Sequence, residues 1–469
     1  MESTKKKASL KLPARAGIWN MISGLVTRGI GACGTPIFTR LLTPDEYGLY
    51  PLYTTWTAVA VALVASGLAG SAIYRGLQRY SGRREEFIAA ATGLGLTASL
   101  LLLILGAPIA GLLSSLTGLA PTVLLILIFE VAFSTVIALR SSWLRFEYRY
   151  KELALTGLIS ALGTPTISIL LVRLTPYRAE ARIIGSLLAT LAVALPMLLC
   201  TSRHYRLYDR EIWGYLLRVN LPLLPHYLSS SLILRASEMV IGKSHGEVAL
   251  AKYSVGISVG LALTFLSNAI AGALSPWILR KIAEGCEDRV RELVSLALGG
   301  LMSASLLLLA AAPEVLAILT PPEYADALPT VYPLALSVSA MFLVGAITSA
   351  EAYYERSFRS SLPTVATAVA SLGLAVVILP RADYRISALF TLGAYLLLVV
   401  LSNLNLVKIS GKSIIDARKC TLLFALCGVY ALILFVFRGV LLSRVLLAIP
   451  VIPISFGLGK RIFAKIREV

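Results

Sequence analysis

The chain has 469 residues, 57% of them hydrophobic and only 14% charged, with a mean hydropathy of +0.81. Soluble domains sit nearer about 45–50% apolar and about 25% charged, so a water-soluble globule is excluded and an all-α, polytopic membrane protein is expected. The net charge of +18 would suggest nucleic acid in a soluble protein; in a membrane protein it first reports topology, because short cytoplasmic loops collect Lys and Arg.

The N-terminus, "MESTKKKASLKLPARAG", is basic, and no compact apolar core with a small-residue cleavage site follows it, so no removable signal peptide is expected. A spanning helix needs about 20 mostly apolar residues, and about fourteen windows qualify. They are 16–40, 51–75, 87–113, 122–143, 152–174, 183–200, 216–242, 253–279, 293–318, 329–352, 361–379, 386–407, 419–437 and 441–459, spans 1–14 below. With the N-terminus placed in the cytoplasm, about two-thirds of the 43 Lys and Arg fall in inner segments. Arg40, Arg173, Arg178, Arg182, Lys243, Lys252, Arg381, Arg385, Arg438 and Arg444 fall in outer ones, and Arg28, Arg140, Arg218 and Arg235 fall within spans. That bias predicts a multi-pass protein with both ends inside, and it makes a nucleic-acid partner unnecessary.

Span 1 contains "RGIGACGTP", which matches the G-x-G-x-x-G spacing of a dinucleotide-binding turn at Gly29, Gly31 and Gly34. That motif works only between a strand and a helix start. Here it lies inside a spanning helix, so a hinge is expected instead, formed by the three glycines with Pro36. Arg28 lies about 18 Å from either end of the span at 1.5 Å per residue, too deep for comfortable snorkelling, so a polar interior is expected around it. Asn20, Thr27, Arg28, Gly31 and Thr35 recur at helical spacing on one face. Arg140, in span 4, and Arg218 lie near inner ends, where a guanidinium reaches the headgroups. Glu130, in mid-span 4, is a candidate to neutralise Arg28 or to act as a protonatable coupling group.

Span 7 repeats the theme. Tyr227, Ser231, Arg235 and Glu238 share a face; Arg235 and Glu238, three apart, can pair. Pro222 and Pro225 predict a broken helix, a feature of mid-membrane transporter sites. Setting Tyr50 against Tyr253 also aligns Arg40 with Lys243, a weak internal repeat that fits two six-helix halves with spans 13 and 14 appended. No Walker A run, H-E-x-x-H or G-x-S-x-G occurs, there are only three His, and the five Cys form no C-x-x-C. Neither an enzyme, a metal site nor a cofactor is implied.

Several stretches resemble the oligosaccharide–lipid flippases, the polysaccharide-export branch of the superfamily that also holds the multidrug and toxin extrusion transporters. They are "TRLLTPDEYGLYPLY" after span 1, "WLRFEYRYKELAL" after span 4, "AILTPPEYADALPTVYPLALS" between spans 9 and 10, and "YYERSFRSSLP" with "LPRADYRISALFTLGAYLL" at spans 11 and 12. The resemblance implies two six-helix lobes, 1–210 and 211–410, around a central cavity, with spans 13–14 and a cytoplasmic tail at 411–469. It implies alternating-access transfer of a polyprenyl-pyrophosphate-linked oligosaccharide across the cytoplasmic membrane. The implied partners are that lipid-linked oligosaccharide, membrane lipids and other polysaccharide-assembly membrane proteins. Family members use cations of spans 1 and 7, which here match Arg28 and Arg235; Ser231 is the position that aligns with Arg28 in the repeat. Arg suits a diphosphate through charge-assisted, often bidentate hydrogen bonds. The alternative is a drug/cation antiporter of the related branch, for which the candidate interior set of Arg28 and Arg235 against Glu130 and Glu238 is not acidic enough.

Overall fold

The structure is a computed structural model and describes residues 29–30, 34–354 and 357–467. Asn20, Thr27, Arg28 and Gly31 lie outside the described residues. Every regular element among the described residues is a helix, and eleven of these segments are long and apolar enough to cross a membrane. They coincide with predicted spans 2–6 and 9–14; Pro121–Phe146 covers the window at 122–143, and Glu287–Leu319 the one at 293–318. Observed ends commonly overrun the windows, because hydrogen bonding continues through polar first and last turns that hydropathy does not register.

The other windows show where composition alone misplaces a helix. Span 2 begins earlier than predicted, at Pro44, because Thr43 and Glu46 form a capping box: Thr43 N–H donates to Glu46 Oε2 at 2.8 Å and Glu46 N–H donates to Thr43 Oγ1 at 3.3 Å. It then passes into a wider π turn at Ala62–Ser66 and gives way near Gly70 to a separate helix, Ser71–Arg79. Span 7 is broken as predicted: Arg210–Asn220 ends in a 3-10 turn at Leu221–Leu223 before Leu224–Ser244, at the prolines that remove backbone donors. Span 8, expected to be continuous, is two helices, Gly246–Gly260 and Thr264–Ala283, bent by 44°. Of span 1, residues 29–30 and 34–40 are described, the latter within a helix over 34–41.

The chain divides into two compact units. The first reaches to Ser231 and takes in Gly246–Ala251; the second comprises Leu232–His245 and the described residues from Lys252 onward. In the first unit, Ser71–Arg79, Arg84–Gly106, Pro121–Phe146 and Arg210–Asn220 converge on Ile73, Leu77, Phe87, Leu139 and Leu216. Elsewhere in that unit, Tyr150–Leu174 and Arg178–His204 touch at Gly185, where a Cβ would lie 2.5 Å from Ser168 Cα. The missing side chain is what lets the two backbones approach so closely.

In the second unit the Pro322–Tyr353 segment is the central one, 78% of its apolar window being buried, against 11% for Leu441–Arg461. The peripheral segment is held by Arg444. This residue was expected in an outer loop but is 4% exposed. Its Nη1 and Nη2 donate to Glu314 at 2.6 and 2.6 Å, and Nη1 also donates to Ala310 O at 2.7 Å. Sequence position placed Arg444 at a span edge; the facing helix supplies the acceptors that allow it to be buried.

Candidate functional site

Two helices of the first unit begin side by side. Arg178, in the first turn of Arg178–His204, pairs with Glu46 of the capping box at 3.5 Å and donates to Leu41 O. One turn further along, Arg182 meets Tyr50; the next turn brings Ser186 to the level of Tyr53. Arg182, Ser186 and Thr190 step by four, so they form one stripe on their helix.

Glu130 is the centre of this polar core. It is 8% exposed. Its Oε2 accepts from Tyr53 OH at 2.8 Å, and its Oε1 accepts from Ser186 Oγ at 3.0 Å and Thr190 Oγ1 at 3.2 Å. A buried carboxylate survives only when its lone pairs are met, and here three hydroxyls meet them. Such a group can hold a charge inside the helix bundle, or exchange a proton there.

Arg182 lies a turn away. It was expected in an outer segment but is 7% exposed. Its guanidinium carbon stands 4.2, 4.5 and 4.0 Å from the ring centroids of Phe38, Tyr47 and Tyr50, a three-sided aromatic cage in which the ring faces attract the cation. No carboxylate among the described residues pairs with it, and Nη1 is buried without a hydrogen-bond acceptor among them. Beside it is a cavity of about 440 Å³ lined by Arg182, Thr35, Tyr50, Ser160 and Thr164 among others. Of the span 1 residues singled out from sequence, Thr35 and Gly34 line this cavity. Pro36 is half-buried, its carbonyl accepting from Arg40 Nη1 at 2.9 Å, and Gly29 is exposed.

In the second unit Arg235 and Glu238 form the predicted pair, Nη1 to Oε2 at 2.7 Å, with the Glu238 side chain 3% exposed and that of Arg235 26%. Near them Tyr253 OH lies 3.2 Å from Thr391 Oγ1, and Ser237 Oγ donates to Ser387 O at 3.2 Å. Tyr227 and Ser231, which belong to the first unit, are half-buried in the early turns of Leu224–Ser244, the helix that carries Arg235 further on. Arg140 stands apart from both clusters: it pairs with Glu85 at 3.4 Å and stacks over Trp143 at 4.0 Å.

The residues that sequence reasoning missed are Arg182, Tyr53, Ser186 and Thr190. The polar stripe of Arg182, Ser186 and Thr190 in "ARIIGSLLATLAVALP" was legible as a period-four pattern. The aromatic cage was not, because its rings come from two helices, the end of span 1 and the start of span 2, more than a hundred residues earlier in the chain.

This arrangement of apolar spans with buried polar clusters is that of a many-spanned helical membrane protein, and solved structures share its fold. An inward-facing multidrug resistance MATE family transporter of the MOP superfamily is 16% identical, with a TM-score of 0.66 over 82% of this chain and 95% of that one. The lipid II flippase MurJ, in an inward closed conformation, is 15% identical with a TM-score of 0.67, over 94% and 98%. A MOP superfamily transporter from Pyrococcus furiosus, described as having a binding pocket of reverse polarity, is 14% identical with a TM-score of 0.57, over 90% and 96%. No curated protein matches the chain by sequence. Residues 14–282 match the family described as polysaccharide biosynthesis protein, and the chain belongs to that family.

Proposed function

We propose that this protein is a flippase that moves a polyprenyl-pyrophosphate-linked oligosaccharide across the cytoplasmic membrane by alternating access. The observation that carries the reading is the family match over residues 14–282. It is supported by the fold shared with lipid II flippase MurJ, itself a flippase of a lipid-linked molecule by its name. Chemically, a diphosphate needs fixed cations in a poorly solvated interior, and Arg meets it with paired donors. Arg28 and Arg235 are the proposed pyrophosphate partners, with Asn20, Thr27, Thr35, Tyr227 and Ser231 offering polar contacts and Arg140 further along the path. Glu238 balances Arg235, and Glu130 serves as a charge-balancing or coupling group. Both termini are placed in the cytoplasm by the positive-inside bias.

A second reading, a cation-coupled drug antiporter, is favoured by one observation: Glu130 is a buried carboxylate ringed by hydroxyls, a chemistry suited to a proton or a small cation. The test is reconstitution of the full chain into proteoliposomes with fluorescent polyprenyl-pyrophosphate oligosaccharides, with and without ion gradients. Leaflet exchange above that of protein-free vesicles is expected. Absence of exchange across a panel of sugars, with gradient-driven efflux of cationic dyes instead, would replace this reading with the second.

A further inference from the structure

His245 stands where the chain passes from one unit to the other: Leu232–His245 belongs to the second and Gly246–Ala251 to the first. It is half-buried, between the end of helix Leu224–Ser244 and the start of helix Gly246–Gly260. The dipoles of those two helices act in opposite senses on a charge placed there, so the hydrogen bonds of the ring decide its state.

Both ring nitrogens are engaged. Nε2 lies 2.9 Å from Ala382 O, and Nδ1 lies 2.8 Å from Ser244 Oγ. A carbonyl only accepts, so Nε2 carries a proton. Ser244 Oγ also donates to Val240 O at 2.7 Å, which commits its single proton to a second carbonyl. Ser244 Oγ can then only accept from Nδ1. All three contacts are made at once by the imidazolium alone, in a relay that runs from Ala382 O through His245 and Ser244 to Val240 O. A neutral ring breaks the relay: Ser244 turns its proton to Nδ1 and abandons Val240 O, or Nε2 presents a lone pair to Ala382 O.

The surroundings favour the charged ring. Asp383 follows the acceptor Ala382; Arg385 first, and then the charge at His245, hold its carboxyl below the usual carboxylate range. Arg385 Nε donates to Asp383 Oδ1 and Oδ2 at 3.0 and 2.9 Å, and Lys252 Nζ donates to Asp326 Oδ2 at 2.8 Å. Lys243 and Glu247 flank the ring in sequence. Tyr384 meets it edge-on, with centroids 6.5 Å apart, and its OH donates to Asp326 O at 3.4 Å. The stretch from Ala382 to Tyr384 is thus bound to His245 on one side and to Asp326 on the other.

We propose that His245 is a proton-operated clamp: protonated, it ties the end of Leu224–Ser244 to the turn that precedes span 12 through Ala382 O, and on losing its proton it releases that turn at the point where the chain passes between its two units. The closed clamp holds a proton that the open one lacks, so it closes in acid and opens as pH rises. Histidine is the side chain suited to such a change between about pH 5 and 8. The clamp uses none of the residues assigned to the transport path and acts whatever substrate the protein carries.

The test is hydrogen–deuterium exchange of the purified full chain in nanodiscs, read by mass spectrometry from about pH 5 to about pH 8, with labelling times scaled to the intrinsic exchange rate at each pH. Peptides covering 379–386 are expected to be protected at the acid end and to lose about tenfold of that protection at the alkaline end, the worth of one hydrogen bond from a charged donor. His245→Gln should remove this pH dependence. Ser244→Ala keeps the imidazole but takes away the acceptor of its Nδ1–H, so the clamp should open at a lower pH than in wild type. That variant keeps the test decisive if His245→Gln does not fold, which thermal unfolding reports. Protection of 379–386 in wild type that stays constant with pH, or that grows as pH rises, would overturn the clamp. So would a pH dependence that survives in folded His245→Gln, which would assign the titration to another group, or one that is unshifted in Ser244→Ala, which would remove the relay.

Discussion

Removing the hydroxyl of Tyr53 is the sharpest probe of the polar core. Tyr53 is 0% exposed, and its OH donates to Glu130 Oε2 at 2.8 Å, the shortest of the three contacts to that carboxylate. A hydrogen bond to a charged group contributes about 1.5–3 kcal/mol, and a neutral one about 0.5–1.5 kcal/mol. Tyr53→Phe leaves one carboxylate oxygen without its donor and adds no bulk, so it should cost about 2 kcal/mol if Glu130 is ionised. With Glu130→Gln in place the same substitution should cost about 1 kcal/mol, which is a coupling of about 1 kcal/mol. The assay is a double-mutant cycle, with unfolding of detergent-solubilised protein followed by circular dichroism. A coupling below about 0.3 kcal/mol, within additivity error, would refute the placement of a charge-assisted hydrogen bond at the centre of this unit.

Other outcomes follow from the packing. Gly185→Ala places a methyl 2.5 Å from Ser168 Cα and 2.7 Å from its nitrogen, backbone that cannot step aside, so a loss of about 1–3 kcal/mol is expected; an unchanged melting temperature would contradict the close helix contact. Arg444→Met removes a guanidinium with a 5% exposed side chain from Glu314, whose own side chain is 45% exposed. Breaking a fully buried pair costs about 3–5 kcal/mol, and the exposure of Glu314 lowers the expectation to about 1–3 kcal/mol. Wild-type resistance of the variant to proteolysis at its C-terminal segment would argue against this anchor. Asp383 caps the turn at Tyr384–Ile386, and the Arg385 guanidinium holds its carboxyl below the usual carboxylate range. A depressed folded-state value means the stabilisation is complete above about pH 4 and fades as pH falls through the folded value. The melting-temperature gap between wild type and Asp383→Asn should therefore be small, positive near neutrality, and shrink in acid; a gap that widens in acid would reverse the assignment.

The spans and the break at Leu221–Leu223 were legible because hydropathy and proline act locally: a bilayer selects about 20 apolar residues wherever they occur, and proline loses its donor in any context. The Arg235–Glu238 pair was legible for a similar reason, since three residues of helix bring the two side chains together whatever surrounds them. The bend in span 8 carries no proline and left no local mark. Arg182 and Arg444 sit near span ends, where one-dimensional reading assigns a cation to a loop and to water. Whether such a cation is exposed or buried depends on what the neighbouring helices offer it: three aromatic rings for Arg182, and a carboxylate with a carbonyl for Arg444. Those groups are brought in from elsewhere in the chain, and the cost of burying a charge is met only when they arrive together. Composition and periodicity thus establish a many-spanned helical membrane protein, while the location of its buried charges is decided by helix packing, which alone determines their partners.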